Sequence, residues 1–410
     1  MRRYDIVVVG GGMVGASLAA CLSACFKDIP LKVLIIESFA LREDALEASY
    51  QPSFDARATA LSYGSQQIYQ GMGLWSRIAE HATPINNIHV SDRGRFGSVW
   101  MDSATEGLPA LGYVADNKWL GAVLLDALHV NSMIEFACPA TVVDVSVDAG
   151  GARVSFTQGE QTIVVSTELL VVADGAQSAM RSKLGIGAQR TDYQHAAIVC
   201  NVQTQRPHQH VAYERFTDNG PLAFLPLGES VDSALSSLVW TRSPDDAERL
   251  AAAPEAEFNA ELQQEFGFRL GRIERCGERF CYPLSLIEAQ EQVRPHIIVM
   301  GNAAHSLHPV AGQGYNLALR AVLNLVEHVH GAHVAGQSMG ATDVLNSYLT
   351  AQRGDQRNTI AFSHLAATVF VNDGFAIGLG RDLGLLGLDL LPPLKSRLVR
   401  QAAGLESRIL

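Results

Sequence analysis

At 410 residues the chain can bury large cores and is long enough for two or three domains. Its 48% hydrophobic and 18% charged residues exclude a mostly disordered chain, and no apolar run is long enough to read as a membrane-spanning helix. With 42 acidic against 31 basic residues, the net charge of −11 argues against a nucleic-acid partner, which needs a basic face; local membrane contact stays open.

The chain opens with a segment that imitates a signal peptide. Arg2 and Arg3 precede an apolar stretch ending in Leu22-Ser23-Ala24-Cys25, the outline of a lipoprotein leader. Asp5 and Gly10-Gly11-Gly12 interrupt it, and cleavage would remove a nucleotide-binding loop, so the segment is expected to stay and fold. Cys21, Cys25, Cys138, Cys200, Cys276 and Cys281 form no CxxC pair and no metal spacing. They read as buried thiols in a reducing cytoplasm, and no metal is expected.

Ile6 to Val9 is a short, mostly β-branched apolar run, which predicts a buried parallel strand. It leads into Gly10-Gly11-Gly12-Met13-Val14-Gly15, after which Ala16 to Phe26 reads as a helix of small and apolar residues. A second buried strand is expected over Leu31 to Ile36, with Glu37 at its end. Gly10 permits the tight turn, Gly12 lets the backbone approach a pyrophosphate, and Gly15 lets the helix pack on the strand. The amides at the helix N-terminus would hold the phosphate charge. Glu37 is spaced to accept hydrogen bonds from a ribose hydroxyl. Strand, loop, helix, strand and acid in this order predict dinucleotide binding, and the acid favours FAD or NAD over NADP.

Farther along, Asn87 to Met101 and Ala196 to Pro283 hold strand candidates of alternating or mixed polarity, such as Ile88-His89-Val90 and Ser236 to Trp240. These predict a second, substrate-facing sheet. Leu169 to Ala173 is an apolar strand ending in Asp174-Gly175-Ala176-Gln177-Ser178, with Arg181 beyond; alone, it reads as a turn. Ala247 to Phe266 predicts a helix with Pro254 near its start or in a break. Ile297 to Met300 predicts a strand running into Gly301-Asn302-Ala303-Ala304-His305, then Pro309, Gly312-Gln313-Gly314 and Asn316. Breaker residues and paired amides just before a helix suggest backbone wrapped around a ligand. Ala318, Val322, Leu325, Val326 and Val329 recur at helical period, so the helix begins near Gly314 to Asn316. Its positive dipole end would face what the loop encloses, and an anionic reduced flavin suits it. Gly378-Leu379-Gly380 with Gly384 has the wrong spacing for a second nucleotide loop, so NAD(P)H is expected to visit rather than own a domain. Near the end, Leu383, Leu385, Leu386, Leu388, Leu390 and Leu391 precede Pro392-Pro393, Lys395, Arg397 and Arg400. A helix packed on the body and a membrane-surface or subunit contact both fit this pattern.

Taken together, the motifs resemble the single-component flavoprotein hydroxylases of the para-hydroxybenzoate hydroxylase type. Within these the chain is similar to the ubiquinone-biosynthesis branch, most nearly its octaprenyl-methoxyphenol hydroxylases. The resemblance covers nearly the whole chain. It rests on Gly10 to Gly15 with Glu37, on Asp55-Ala56-Arg57-Ala58-Thr59-Ala60-Leu61, and on Asp174-Gly175. It rests further on Phe216-Thr217 with Gly220-Pro221-Leu222-Ala223, and on Gly301 to Asn316. It implies an α/β fold: a Rossmann-like FAD-binding domain, a second mixed-sheet substrate domain and a C-terminal helical segment. It also implies non-covalent FAD, NAD(P)H and O2 as co-substrates, and hydroxylation of a prenylated phenol on its ring. By this resemblance Gly10, Gly12, Met13, Val14, Gly15 and Glu37 would bind the ADP half of FAD, and Arg57 would lie along the cofactor. Asp174 and Gly175 would sit near the pyrophosphate and be linked to NAD(P)H use. Asn302, Pro309, Gly312, Gln313, Gly314 and Asn316 would carry the ribityl chain and flavin ring. Two positions depart from the pattern: Asn302 stands where the family usually has aspartate, and Ala321 stands where an acid commonly follows the arginine matching Arg320.

These expectations divide the chain into a discontinuous FAD-binding domain (1–80, 111–184, 287–331), a substrate domain (81–110, 185–286) and a C-terminal helical segment (332–410). The expected setting is cytoplasmic, with peripheral contact at the inner face of the plasma membrane or with a ubiquinone-biosynthesis complex; a homo-oligomer is left open. A phenol of pKa about 10 is mostly protonated at neutral pH, so a positioned acceptor would help. No residue can be named for it, and His305 and His308 read as structural. Two other readings stand beside this one: a flavin-dependent reductase of isoprenoid double bonds, and a flavin-binding assembly subunit without turnover. Oxygen-dependent product formation discards the first, and phenol-stimulated NAD(P)H oxidation discards the second.

Overall fold

The computed structural model describes residues 1–40, 57–95, 97–228, 230–307, 312–369 and 391–405. In chain order the elements begin β1 (Arg2–Val9), α1 (Met13–Cys25), β2 (Val33–Ile36), β3 (Ala58–Ser62), α2 (Tyr63–Gly71), α3 (Trp75–Ile78), β4 (Ala82–Ile85), β5 (Asn87–Asp92) and β6 (Ser98–Asp102). They continue with β7 (Gly112–Asp116), α4 (Asn117–His129), β8 (Ile134–Ala137), β9 (Thr141–Asp148), β10 (Gly151–Gln158), β11 (Gln161–Val172), α5 (Ala179–Lys183) and β12 (Ala188–Thr204). Next come β13 (Val211–Thr217), β14 (Gly220–Leu227), β15 (Leu235–Arg242), α6 (Pro244–Ala252), α7 (Glu255–Phe266), β16 (Ile273–Cys276) and β17 (Phe280–Ala289). The last are β18 (Val293–Arg294), β19 (Ile297–Val299), β20 (His305–Ser306), α8 (Gln313–Val334), α9 (Thr342–Val369) and α10 (Pro392–Ala402).

The apolar runs of β1, β2, β11 and β19 form the parallel centre of the first sheet, whose order is β18-β19-β11-β1-β2-β8. Strands buried on both faces carry near-continuous apolar sequence, as these do. On one face Leu18, Leu22 and Phe26 of α1 meet Val322, Leu325 and Val329 of α8 and Trp119 and Leu120 of α4. The parallel centre and its helical cover are the Rossmann-like arrangement the sequence implies. The hairpin β9–β10 extends this sheet antiparallel from β11, which no motif in the sequence announces.

The second sheet runs β20-β17-β12-β15-β14-β13-β5-β6, with β16 also on β12. One of its faces is covered by α6 and α7, where Trp240, Phe224 and Ile198 pack on Leu250, Phe258, Leu262 and Phe266. The helix expected over 247–266, with Pro254 near its start or in a break, is two helices, because Pro254 stands extended (φ −53°, ψ 146°) as the cap of α7. A small third sheet, β3-β7-β4, meets the second where Ile85 and Val114 pack on Ala212. The C-terminal part is helical, as expected. Arg320 of α8 forms a bidentate pair with Asp355 of α9 (2.7 and 3.0 Å), so the arginine followed by Ala321 finds its carboxylate on the neighbouring helix. The leucine–glycine stretch 378–390 lies outside the described residues, as do Asp55, Ala56, His308 and Pro309. No helix among the described residues is long and apolar enough to cross a membrane.

Candidate active site

The first strand delivers the chain to a turn that only glycine can make. Gly10 has φ +105°, and a Cβ there would lie 2.4 Å from the Ala173 carbonyl oxygen. A Cβ on Gly15 would lie 1.9 Å from the Gly10 oxygen, so α1 packs this closely on β1 through glycine alone. Gly12 differs, because nothing stands within 4 Å of the position its Cβ would take. That open space belongs to a large cavity, and Gly12, Met13 and Val14 line it. Gly12 also caps α1 with no side-chain bond, and the positive helix end lies at the cavity wall.

Two carboxylates flank this turn. Glu37, at the end of β2, accepts from the Gly11 amide at 2.6 Å through Oε2 and from the Phe39 amide at 2.9 Å through Oε1. The Ser38 hydroxyl also donates to Oε1 at 3.2 Å, so Oε2 is the oxygen that keeps capacity for a further donor. Asp174 follows β11 and accepts from the Met180 amide at 3.0 Å through Oδ2, while its Oδ1 is buried without a partner. A buried oxygen left unpaired costs free energy, and a bound ligand donor would relieve it. The glycine cradle, the uncapped helix end and this orphaned oxygen fit a dinucleotide.

The late loop arrives from the other side of the cavity. After β19 a short turn, Gly301–Ala303, presents Asn302 with its side chain exposed on the cavity wall. Arg181 holds this turn by donating to the Ala303 carbonyl at 2.7 Å. Gly312 adopts a left-handed conformation (φ 60°) as the cap of α8, and Gly314 lies on the wall just inside the helix. Gln313 is buried and reaches the Ala402 carbonyl at 3.4 Å. Asn316 is committed to protein partners. Its amide donates to the carbonyls of Ala60 and Gly312 at 2.9 and 2.8 Å. Its oxygen accepts from the Ser62 amide and the Ser65 hydroxyl at 2.8 and 2.7 Å. That side chain therefore pins α8 to β3 and α2, and the residue also lines the cavity. Arg57 is not on the cavity wall: it is exposed, donates to the Tyr282 hydroxyl at 2.6 Å, and lies over the Phe280 and Tyr282 rings.

Behind the loops the polar groups are bound tightly. Tyr315 on the wall joins Ser17 (2.9 Å) and Tyr69 in a buried hydroxyl cluster, and burial pushes both phenols up in pKa. His305 shares a 3.0 Å bond with the Gln292 side chain, and burial lowers its pKa to about 4, so it is neutral at pH 7.

The cavity measures about 930 Å³. From the loops it extends along the uncovered face of the second sheet, past Ile88, Val90, Val99, Met101, Phe216 and Leu225, to Leu398 and Val399 of α10. One carboxylate, Glu214, stands among the described lining residues. Sequence reasoning passed over it. The signal was faint: Ala212, Glu214 and Phe216 share one face of β13 by strand alternation, placing an acid between two apolar neighbours.

Comparison with known proteins agrees with this geometry. The FAD binding domain family matches residues 3–354. Ubiquinone hydroxylase UbiL of Rhodospirillum rubrum is 33% identical over 401 residues, covering 98% of this chain and 89% of that protein. The 3-demethoxyubiquinol 3-hydroxylase of Escherichia coli is 29% identical over 402 residues, 98% of each chain. The crystal structure of p-nitrophenol 4-monooxygenase PnpA from Pseudomonas putida shares the fold, with a TM-score of 0.78, 18% identity and 100% of both chains covered. The chain thus belongs to the FAD binding domain family of flavoprotein monooxygenases, alongside the ubiquinone hydroxylases.

Proposed function

We propose that the protein hydroxylates the aromatic ring of a prenylated phenol in ubiquinone biosynthesis, with non-covalent FAD and with NAD(P)H and O2 as co-substrates. The observation that carries this reading is one cavity running from the dinucleotide loops to an apolar sheet face. Its size, about 930 Å³, suits a ring with an isoprenoid tail beside a cofactor. FAD, when bound, takes a hydride from NAD(P)H and activates O2 for transfer to an electron-rich ring.

The chain's own residues hold and shield that chemistry. The amides of Gly12, Met13 and Val14 bind the pyrophosphate, Glu37 the ribose, and Asp174 Oδ1 a cofactor donor. Asn302 takes a ribityl hydroxyl, while Gly312, Gln313 and Gly314 offer backbone at the positive end of α8. Asn316 and Arg57 act from behind and beside the cofactor, and Pro309 is assigned to cofactor binding from its place in the motif alone. Phe216, Val90 and Met101 wall the ring off from water, which protects a reactive oxygen species from wasteful decay. In this reading residues 1–80, 111–184 and 287–331 serve FAD, 81–110 and 185–286 serve the substrate, and 332–410 support both. The exposed side of α10 carries Leu391, Leu394, Arg397 and Arg400. Apolar and cationic groups together suit the anionic inner face of a membrane, from which a prenylated substrate would come.

The test is turnover of a prenylated phenol by purified protein with NAD(P)H in air. The expected product gains one oxygen by mass, and one atom of 18O2 appears in it. Denaturation should release FAD rather than FMN. A product formed equally well without oxygen would instead mark a reductase.

A further inference from the structure

We propose that the isoprenoid tail of the substrate leaves the cavity along α10, on a row formed by Leu391, Leu394, Leu398 and Ala402; the inference rests on the prenylated-phenol reading above. These residues are spaced by three, four and four, which puts them on one face of the helix, with Leu391 extending the row as its cap residue. The row crosses from the cavity to the surface. Ala402 and Leu398 line the cavity, whereas Leu394 and Leu391 are 52% and 50% exposed. At about 1.5 Å of rise per residue, the helical part of the row, from Ala402 to Leu394, is about 12 Å long. An exposed leucine alone is ordinary, but a leucine row continuous with a ligand cavity marks a place where an apolar ligand binds.

A second row of the same helix anchors it. Ser396, Val399 and Ala403, spaced by three and four, face the body of the protein. The Ser396 hydroxyl donates to a Glu106 carboxylate oxygen at 2.7 Å, Val399 is buried against Val99 and Met101 of β6, and the Ala403 carbonyl accepts from the Gly64 amide at 2.7 Å. Strand β6 stands last in the order of the second sheet, so α10 packs on the strand at which the described sheet ends. Val99 and Met101 line the cavity here, together with Leu398. This end of the cavity is thus bounded by a helix fixed on one row and apolar on the next. A tail that outgrows the cavity must meet either water or another apolar surface. Lying against Leu394 and Leu391, it removes their apolar area from water together with its own, which is favourable in proportion to that area.

The experiment compares wild type and Leu394→Asn, both FAD-loaded and free of membranes, on phenols carrying no tail, one isoprene unit or a farnesyl chain. In wild type kcat/KM should rise with each lengthening of the tail. In Leu394→Asn the gain from the farnesyl chain should shrink by about tenfold, the worth of one partly buried leucine contact, and the loss should appear in KM rather than in kcat. A loss of the same size on all three phenols, or no loss on any, means that Leu394 does not meet the tail, and the proposal fails. Photolabelling tests the route without a variant. A farnesylated phenol with a benzophenone at the end of its tail should label residues 391–402 of wild type on irradiation, and an excess of the unlabelled farnesylated phenol should abolish the labelling. Labelling confined to other segments, or indifferent to the competitor, overturns the route even where turnover is intact. If wild type turns over none of the phenols, the substrate reading falls, and this proposal with it.

Discussion

Asn302 departs from the usual aspartate yet stands exposed on the cavity wall, at the carboxyl end of β19 where cofactors bind in open α/β sheets. An amide oxygen can accept from a ribityl hydroxyl as a carboxylate does, losing only charge assistance. Asn302→Asp should therefore bind FAD about as well as wild type. Asn302→Leu leaves a hydroxyl unpaired at about 1–3 kcal/mol, a tenfold to hundredfold weakening. Titration of apo-protein with FAD reads this directly, and equal affinities for wild type and the Leu variant would make the side chain a bystander. His305 yields a second expectation. Its folded pKa is lowered to about 4, so below pH 6.5 the unfolded chain takes up a proton that the folded one refuses. The His305 contribution is fully present above pH 6.5 and is lost as pH falls toward 4. His89, also lowered to about 4 by burial and by Arg269 and Arg215, adds to the same slope. The urea midpoint should hold steady from pH 8 to 7 and decline from 6.5 to 4.5, less steeply in His305→Gln. A midpoint unchanged down to pH 4.5 would contradict it. At this scale local chemistry was legible: Gly10, Gly15 and Glu37 work through neighbours a few residues or one strand away. The side-chain bonds of Asn316 were not legible because its partners, Ala60, Ser62 and Ser65, lie some 250 residues earlier in the chain.

Among the elements, β1, α1 and β2 were readable because each carries its own period and its own breakers. The break at Pro254 was readable for the same reason. The cavity wall was not, since it depends on register between distant strands. Only the pairing of β13 with β5 and β14 brings Val90 and Ala223 beside Glu214. The C-terminal helix α10 posed a different difficulty: its sequence suits either burial or a membrane, and the folded helix has both a buried and an exposed side. Val399 is buried against Val99, Met101 and Leu111, while Leu391 and Leu394 are exposed. Removing residues 391–410 should lower activity on a long-chain phenol more than on a short-chain analogue, and should reduce binding to anionic vesicles. Equal loss on both substrates, with vesicle binding intact, would mean that the helix merely supports the fold.

On the scale of the whole molecule, α10 ends against the machinery that receives the cofactor. The Gly64 amide donates to the Ala403 carbonyl at 2.7 Å, and Gln313, at the start of α8, reaches the Ala402 carbonyl at 3.4 Å. One stretch of helix thus lines the cavity through Leu398 and Val399 and touches α2 and the start of α8 through Ala403 and Ala402. If cofactor and substrate both bear on this helix, their binding is thermodynamically linked, and linkage is reciprocal. Whatever factor FAD adds to the affinity for a long-tailed phenol, that phenol must add to the affinity for FAD. Measured by titration in both orders, the two factors should agree and exceed one for the long tail. For a short-tailed analogue that never reaches α10, both should approach one. An enzyme coupled in this way would hold its flavin most firmly when its substrate is at hand.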